Sequence, residues 1–301
     1  MAVATPVLLI IFNRPDTTAR VWEAIRAAQP PVLLIAADAA RNPEEDTQVQ
    51  AARAITEQVD WPCTIHRRYA STNQGCKWGP YNAISWGFEL VAEMIILEDD
   101  CLPHPDFFRF CDSMLERYRQ HTQVMHISGS NFAATTGTYS YQFSRFTFVW
   151  GWCTTRQAWS AMDIAMEQWP QLRQQGWLRR FFTDPHDVQY WQAQFDNVQH
   201  QQASIWDYQW TFSIWQAGGL CIYPAVNLIS NIGFGSGATH THQEGSWLAN
   251  RPLQALGALV HPPDIRINQQ ADQWLMRHVY APKPPSLWQR LLRKMQSPFN
   301  R

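Results

Sequence analysis

Three features predict an α/β fold with a mostly parallel central sheet flanked by helices. Apolar runs of strand length carry no alternating polar residues, as strands buried on both faces require. Segments of helical period separate them, which is the βαβ rhythm. Polar clusters follow the runs directly, so they fall at one edge of the sheet, at the strands' carboxyl ends.

The elements follow in order. Val7-Leu8-Leu9-Ile10-Ile11-Phe12 is the first buried strand and Asn13-Arg14-Pro15 its exit. A helix is expected over 17–28, with Val21, Trp22 and Ile25 on its apolar side. A second strand over 32–36 ends at Ala37-Asp38, and a polar helix with Glu44 and Glu45 near its start follows. A third strand is expected around 63–67, a helix over 81–92 and a fourth strand over 94–97, ending in Glu98-Asp99-Asp100. Pro103-His104-Pro105-Asp106 opens the next helix, with Pro near its first turn and Phe107, Phe110, Met114 and Leu115 as its apolar face. Strands are expected at 124–128, at 146–152 as an edge segment, and at 220–223, with a largely helical stretch over 156–217. Glycines 233, 235 and 237 then mark a loop whose backbone can approach a ligand.

Bulk properties narrow the function. The formal net charge of −1 gives no electrostatic case for nucleic acid. Six cysteines without a C-x-x-C pair argue against a zinc ribbon or a thioredoxin-like site. With no signal-like start and no apolar run of membrane-spanning length, a cytoplasmic location is expected. The basic amphipathic stretch at 286–295 fits either a peripheral contact with the inner membrane face or a helix docked on the body, and both stay open. The 16 tryptophans suit sugar rings, but core packing explains indoles equally well.

Three consecutive acids at a strand end repel one another unless a cation joins them. Carboxylates are hard donors for Mg²⁺ or Mn²⁺, ions that keep water and substrate phosphates as further ligands. The triplet therefore points to a divalent metal and a diphosphate, with Asp100 the favoured metal ligand. Asp207, flanked by Trp206, Tyr208 and Trp210, is the candidate base for an acceptor hydroxyl, or else a helix first-turn acid. Arg14 and Lys77 are candidate donor-binding cations, and His240 a candidate from the glycine-rich loop.

Residues 95–100, followed by Pro105-Asp106-Phe107-Phe108, resemble the metal-site segment of N-acetylglucosaminyltransferase I and its GT-A relatives. Phe12-Asn13-Arg14, Ala37-Asp38, Gly151-Trp152, Trp206-Asp207 and Phe234-Gly235 through Thr239-His240 are similar to that family's motifs in the same order, over about residues 7–242. The resemblance implies a GT-A (Rossmann-like) glycosyltransferase using a nucleotide-sugar, UDP favoured, with inversion and Asp207 as base. It assigns Arg14 to the nucleotide, Asp38 to the uracil, Asp99 to the ribose and Glu98 to the sugar hydroxyls. His240 would belong to the loop that orders over the donor. Tyr208 stands in place of a second acid, about 60 residues separate the Gly-Trp turn from the late strand, and no matching C-terminal domain follows residue 250. A glycan or lipid-linked acceptor is expected, with one domain over 1–262, a helical acceptor-side insertion at about 160–206 and a tail over 263–301. The alternatives are a non-catalytic nucleotide-sugar binder and a sugar-phosphate nucleotidyltransferase. The latter opens with a glycine-rich loop, absent from Asn13-Arg14-Pro15.

Overall fold

The computed structural model describes residues 3–133, 137–234 and 247–282. The chain begins as a βαβ series. β1 (Val7–Ile11) leads to α1 (Pro15–Ala28), β2 (Val32–Ala37), α2 (Pro43–Ile55), β3 (Thr64–Tyr69), α3 (Gly75–Leu90) and β4 (Glu93–Glu98). These four strands pair in parallel in the order β3-β2-β1-β4. After β5 (Cys101–Pro103) and α4 (Pro105–Tyr118) come β6 (Val124–Ser128), β7 (Tyr141–Ser144) and β8 (Trp152–Thr155). Short helices α5 (Arg156–Trp159) and α6 (Trp169–Gln174), then α7 (Pro185–Gln199) and α8 (Asp207–Gln216), precede β9 (Leu220–Pro224), β10 (Ile229–Asn231) and α9 (Gln269–Leu275). The eight-stranded sheet runs β3-β2-β1-β4-β8-β6-β9-β7, with β8 and β7 antiparallel to their neighbours. The fold is the α/β architecture expected.

Successive residues of a strand point to opposite faces, so a doubly covered strand must be apolar throughout. Val7, Leu9, Ile11, Leu33, Ile35, Ile95 and Leu97 face α1 and α4 in one core. Leu8, Leu34, Met94 and Ile96 face the other, which α3 and α5 to α8 close with Trp152, Trp159, Trp206, Trp210 and Trp215. Most tryptophans are therefore core. α1 starts on Pro15 with Asp16 in its first turn and stops at Gln29, whose left-handed backbone (φ 49°) returns its N–H to the Ile25 carbonyl.

Two expectations differ from the structure. Residues 146–151 do not form a strand. The Phe148 carbonyl accepts from Ser128 Oγ (2.9 Å) and approaches His126 Nε2 (3.1 Å), while the Trp150 carbonyl accepts from Ser130 Oγ (2.9 Å). Side chains of the neighbouring segment take the place of a ladder. α3 starts six residues before 81, because the Asp38 carboxylate holds its first turn, and it tolerates Pro80. The packed body continues past residue 262. Ile267 bridges to Phe143, and Asp272 of α9 accepts from Ser144 Oγ (2.6 Å) and Arg145 Nε (3.0 Å). Among the described residues no helix is long and apolar enough to cross a membrane. The basic stretch 286–295 lies outside the described residues.

Candidate functional site

Strand order places the site before any side chain is considered. β2 and β3 lie on one side of β1 and β4 on the other, so the chain reverses direction at β1. Open α/β sheets hold ligands in the crevice at that point, outside the carboxyl ends of the strands. Here the crevice is a cleft of about 410 Å³. Phe12 and Arg14 border it from the end of β1, Asp38 from β2, and Glu98, Asp99 and Asp100 from β4. Trp206 and Asp207, at the start of α8, line the same cleft with Val149 and Trp150.

The acidic triplet is tied into the fold residue by residue. Asp99 (7% exposed) accepts from the backbone N–H of Phe12 at 2.9 Å, which joins the ends of β4 and β1 across the reversal point. Asp100 (9% exposed) receives Arg14 Nη1 on Oδ2 at 2.6 Å, with the same nitrogen 4.0 Å from Asp99. Its Oδ1 lies 3.5 Å from Asn231 Nδ2, and its carbonyl accepts from the Ile232 N–H at 2.8 Å. Gly233 packs so closely that a Cβ there would lie 2.1 Å from Asp100 Oδ2 and 2.7 Å from Arg14 Nη1. Only glycine fits beside this pair.

One guanidinium does not neutralise three carboxylates. Removal from water, then the charges of Asp100 and Asp99, push Glu98 well above the usual carboxylate range; Asp207 adds to this and Arg14 opposes it. Asp99 is pushed up by the same removal from water and by Asp100. Carboxylates crowded together and removed from water are hard oxygen donors whose ionised forms a divalent cation would favour. Among the described residues, no three His, Cys, Asp or Glu side chains converge as a protein-only metal site.

The other sequence candidates divide. Asp38 lines the cleft, but its carboxylate also accepts from the N–H groups of Ala39 (2.8 Å), Gln74 (2.9 Å) and Gly75 (3.0 Å) and from Asn73 Nδ2 (3.1 Å). A carboxylate has about four acceptor sites, so Asp38 spends most of its capacity holding the turn that opens α3. Asp207 lines the cleft as the first residue of α8, the position of a first-turn acid. Lys77 is not among the residues that line the cleft; its Nζ lies 5.3 Å from the Trp78 ring, while residues 75, 76 and 79 of α3 line it. His240 lies outside the described residues.

Sequence reasoning missed Arg68, Asn73, Trp150 and Asn231 as cleft residues. Asn231 carried a usable signal, since it precedes the glycine-rich segment, and β10 pairs it with Cys101 directly after the triplet. Arg68 carried a weak one: of the two adjacent arginines at the end of β3, strand alternation puts one on each face, and Arg68 takes the cleft side.

No family model and no curated protein matches the chain. Solved structures similar to it include apo mouse xyloside xylosyltransferase 1, at 8% identity over 70% of this chain and 82% of that one, with a TM-score of 0.34. An apo UDP-glucose pyrophosphorylase shares 11% identity over 75% and 93%, also at 0.34. A 4-diphosphocytidyl-2C-methyl-D-erythritol synthase from Anaerococcus prevotii shares 12% over 64% and 84%, at 0.32. Likenesses this distant carry no weight for function, which rests on the chain's own site.

Proposed function

We propose that the chain is a metal-dependent glycosyltransferase, moving a sugar from a nucleoside-diphosphate donor, UDP favoured, to a hydroxyl of a glycan or lipid-linked acceptor. One observation carries the reading. A crowded acidic triplet whose carboxyls are pushed upward by burial and by one another, and a separate carboxylate at the start of α8, line one cleft at the reversal point of the sheet. The first suits a cation-bound diphosphate; the second suits an acceptor proton.

The chemistry then divides between the walls. Asp100, with Asp99 beside it, would hold Mg²⁺ or Mn²⁺, which neutralises the leaving diphosphate when bound. Arg14, paired with Asp100, adds a cation at the same place for the diphosphate, and Glu98 would meet the sugar hydroxyls. Asp207 takes the proton from the acceptor hydroxyl as its oxygen attacks the anomeric carbon. The bond from that carbon to the diphosphate oxygen breaks, and the configuration inverts. Asp38 acts by fixing the Asn73–Gly75 turn against the nucleotide.

A donor screen tests this, measuring nucleoside-diphosphate release with Mn²⁺ and with chelator. Release from one nucleotide-sugar, abolished by chelator, is the expected result. Pyrophosphate formation from a sugar phosphate and a nucleoside triphosphate would replace it with nucleotidyl transfer. Donor binding without release in the presence of hydroxyl acceptors would leave a binding protein.

A further inference from the structure

Beyond the donor cleft, an aromatic strip leads away from its indole wall. Trp150 borders the cleft; its ring meets Phe132 edge-on at 5.5 Å, and Phe132 meets Trp247 at 6.3 Å. Trp247 is 47% exposed although it is a large apolar side chain, and it touches Trp274 at 6.4 Å. Arg251 stands on this strip, its guanidinium 5.6 Å from the Phe132 ring and 5.3 Å from the Trp247 ring.

The charge of Arg251 is the informative part. Burial pushes its pKa below the ordinary arginine value, and among the described residues no carboxylate offsets that. Its Nε is buried with no hydrogen-bond partner, and no ion pair joins it among the described residues. Buried donors are nearly always satisfied, and a half-buried cation without an anion is costly. The segment is held in place: the Asn250 N–H donates to the Asn231 carbonyl at 3.0 Å, and the Gln254 N–H to the Asn227 carbonyl at 3.0 Å. Asn231 is itself a cleft residue, so Arg251 is fixed next to the site.

We infer that Trp247, Phe132, Trp150 and Arg251 form an acceptor subsite for an anionic saccharide, one bearing a phosphate or a carboxylate. This rests on the glycosyltransferase reading of the adjoining cleft. Indole faces suit the C–H faces of a pyranose ring, and a planar guanidinium pairs bidentately with either anion. The strip starts on the wall that carries Asp207, which is where an acceptor hydroxyl has to arrive.

Saturation-transfer NMR titrations of the full chain with glucose 6-phosphate, glucuronate and glucose test the subsite. Both charged probes, or the one whose anion the site is built for, should bind at least about ten-fold more tightly than glucose, the scale of one charge-assisted pair. Arg251→Gln should erase that preference, and Trp247→Ala should weaken all three probes. Neither should change UDP affinity, which also reports that the variants fold. Equal affinity for charged and neutral probes, no binding of any, or a preference that survives Arg251→Gln would overturn the subsite. If Arg251→Gln does not fold, unchanged affinities in Trp247→Ala overturn it equally. A charged-sugar preference in a chain that neither binds nor turns over nucleotide-sugars would instead remove the reading of the cleft and leave the subsite standing.

Discussion

The two faces of the sheet are built from different chemistry. The face under α1 and α4 is mostly aliphatic and phenylalanine, and its strand residues alternate with those of the opposite face one by one. The face under α3 and α5 to α8 is packed with indoles, eight of them buried: Trp152, Trp159, Trp169, Trp177, Trp191, Trp206, Trp210 and Trp215. The cleft inherits the contrast. Its β1–β2–β4 side presents carboxylates and backbone, whereas its far side presents Val149, Trp150, Trp206 and Asp207. The difference teaches that most of the cleft's carboxylates come from the parallel half and its tryptophans from the indole half.

The largest effect should separate the two walls. Asp207→Asn should lower turnover by about 10²- to 10⁴-fold, the usual worth of a general base, while UDP affinity stays unchanged. Asp100→Ala should remove metal-dependent UDP affinity as well as turnover. Steady-state kinetics beside calorimetry distinguish the two, and a matching loss of UDP affinity in Asp207→Asn would erase the division.

Stability offers the next test. Phe107→Ala on one face and Trp210→Ala on the other, both fully buried, should each cost about 3–5 kcal/mol. Urea unfolding followed by fluorescence and circular dichroism should give one shared transition in both. Two separated transitions would mean that the faces are independent units.

His126 adds a smaller, pH-dependent difference on the indole face alone. It is fully buried, accepts from Trp210 Nε1 at 3.2 Å and stacks on Trp152 at 4.7 Å. Burial pushes its pKa down to about 3. The neutral ring is therefore the stable form: its contribution is complete above the unfolded value of about 6.5 and is lost as pH falls toward about 3, by about 1.4 kcal/mol per unit. The stability of His126→Asn should be lower at neutral pH and fall less steeply over that window; a parallel fall would mean that other groups carry the dependence. The smallest effect belongs to Lys77→Ala, which should leave UDP affinity unchanged because Lys77 stands outside the cleft.

The aliphatic half was legible in the sequence because doubly buried strands leave continuous apolar runs. The triplet and Asn13-Arg14 were legible because they end those runs. The indole half was not. Its strand β8 is four residues long, and residues 146–151 exchange ladder bonds for Ser128, Ser130 and His126 side chains, which no periodicity records. Asp38 was found for its position at a strand end, yet its capping of α3 depends on a turn 35 residues further on. The helix start was read six residues late because the Asp38 contacts that hold the first turn of α3 leave no mark in periodicity.

The central claim is that a nucleoside diphosphate and a divalent cation bind together at the end of β1 and β4. Calorimetric titration of UDP into the full chain, with Mn²⁺ and with chelator, tests it most directly when repeated on Asp100→Asn. The account predicts binding that needs Mn²⁺ in the natural chain and is lost in the variant. Equal UDP affinity with and without metal, or in both proteins, would contradict it.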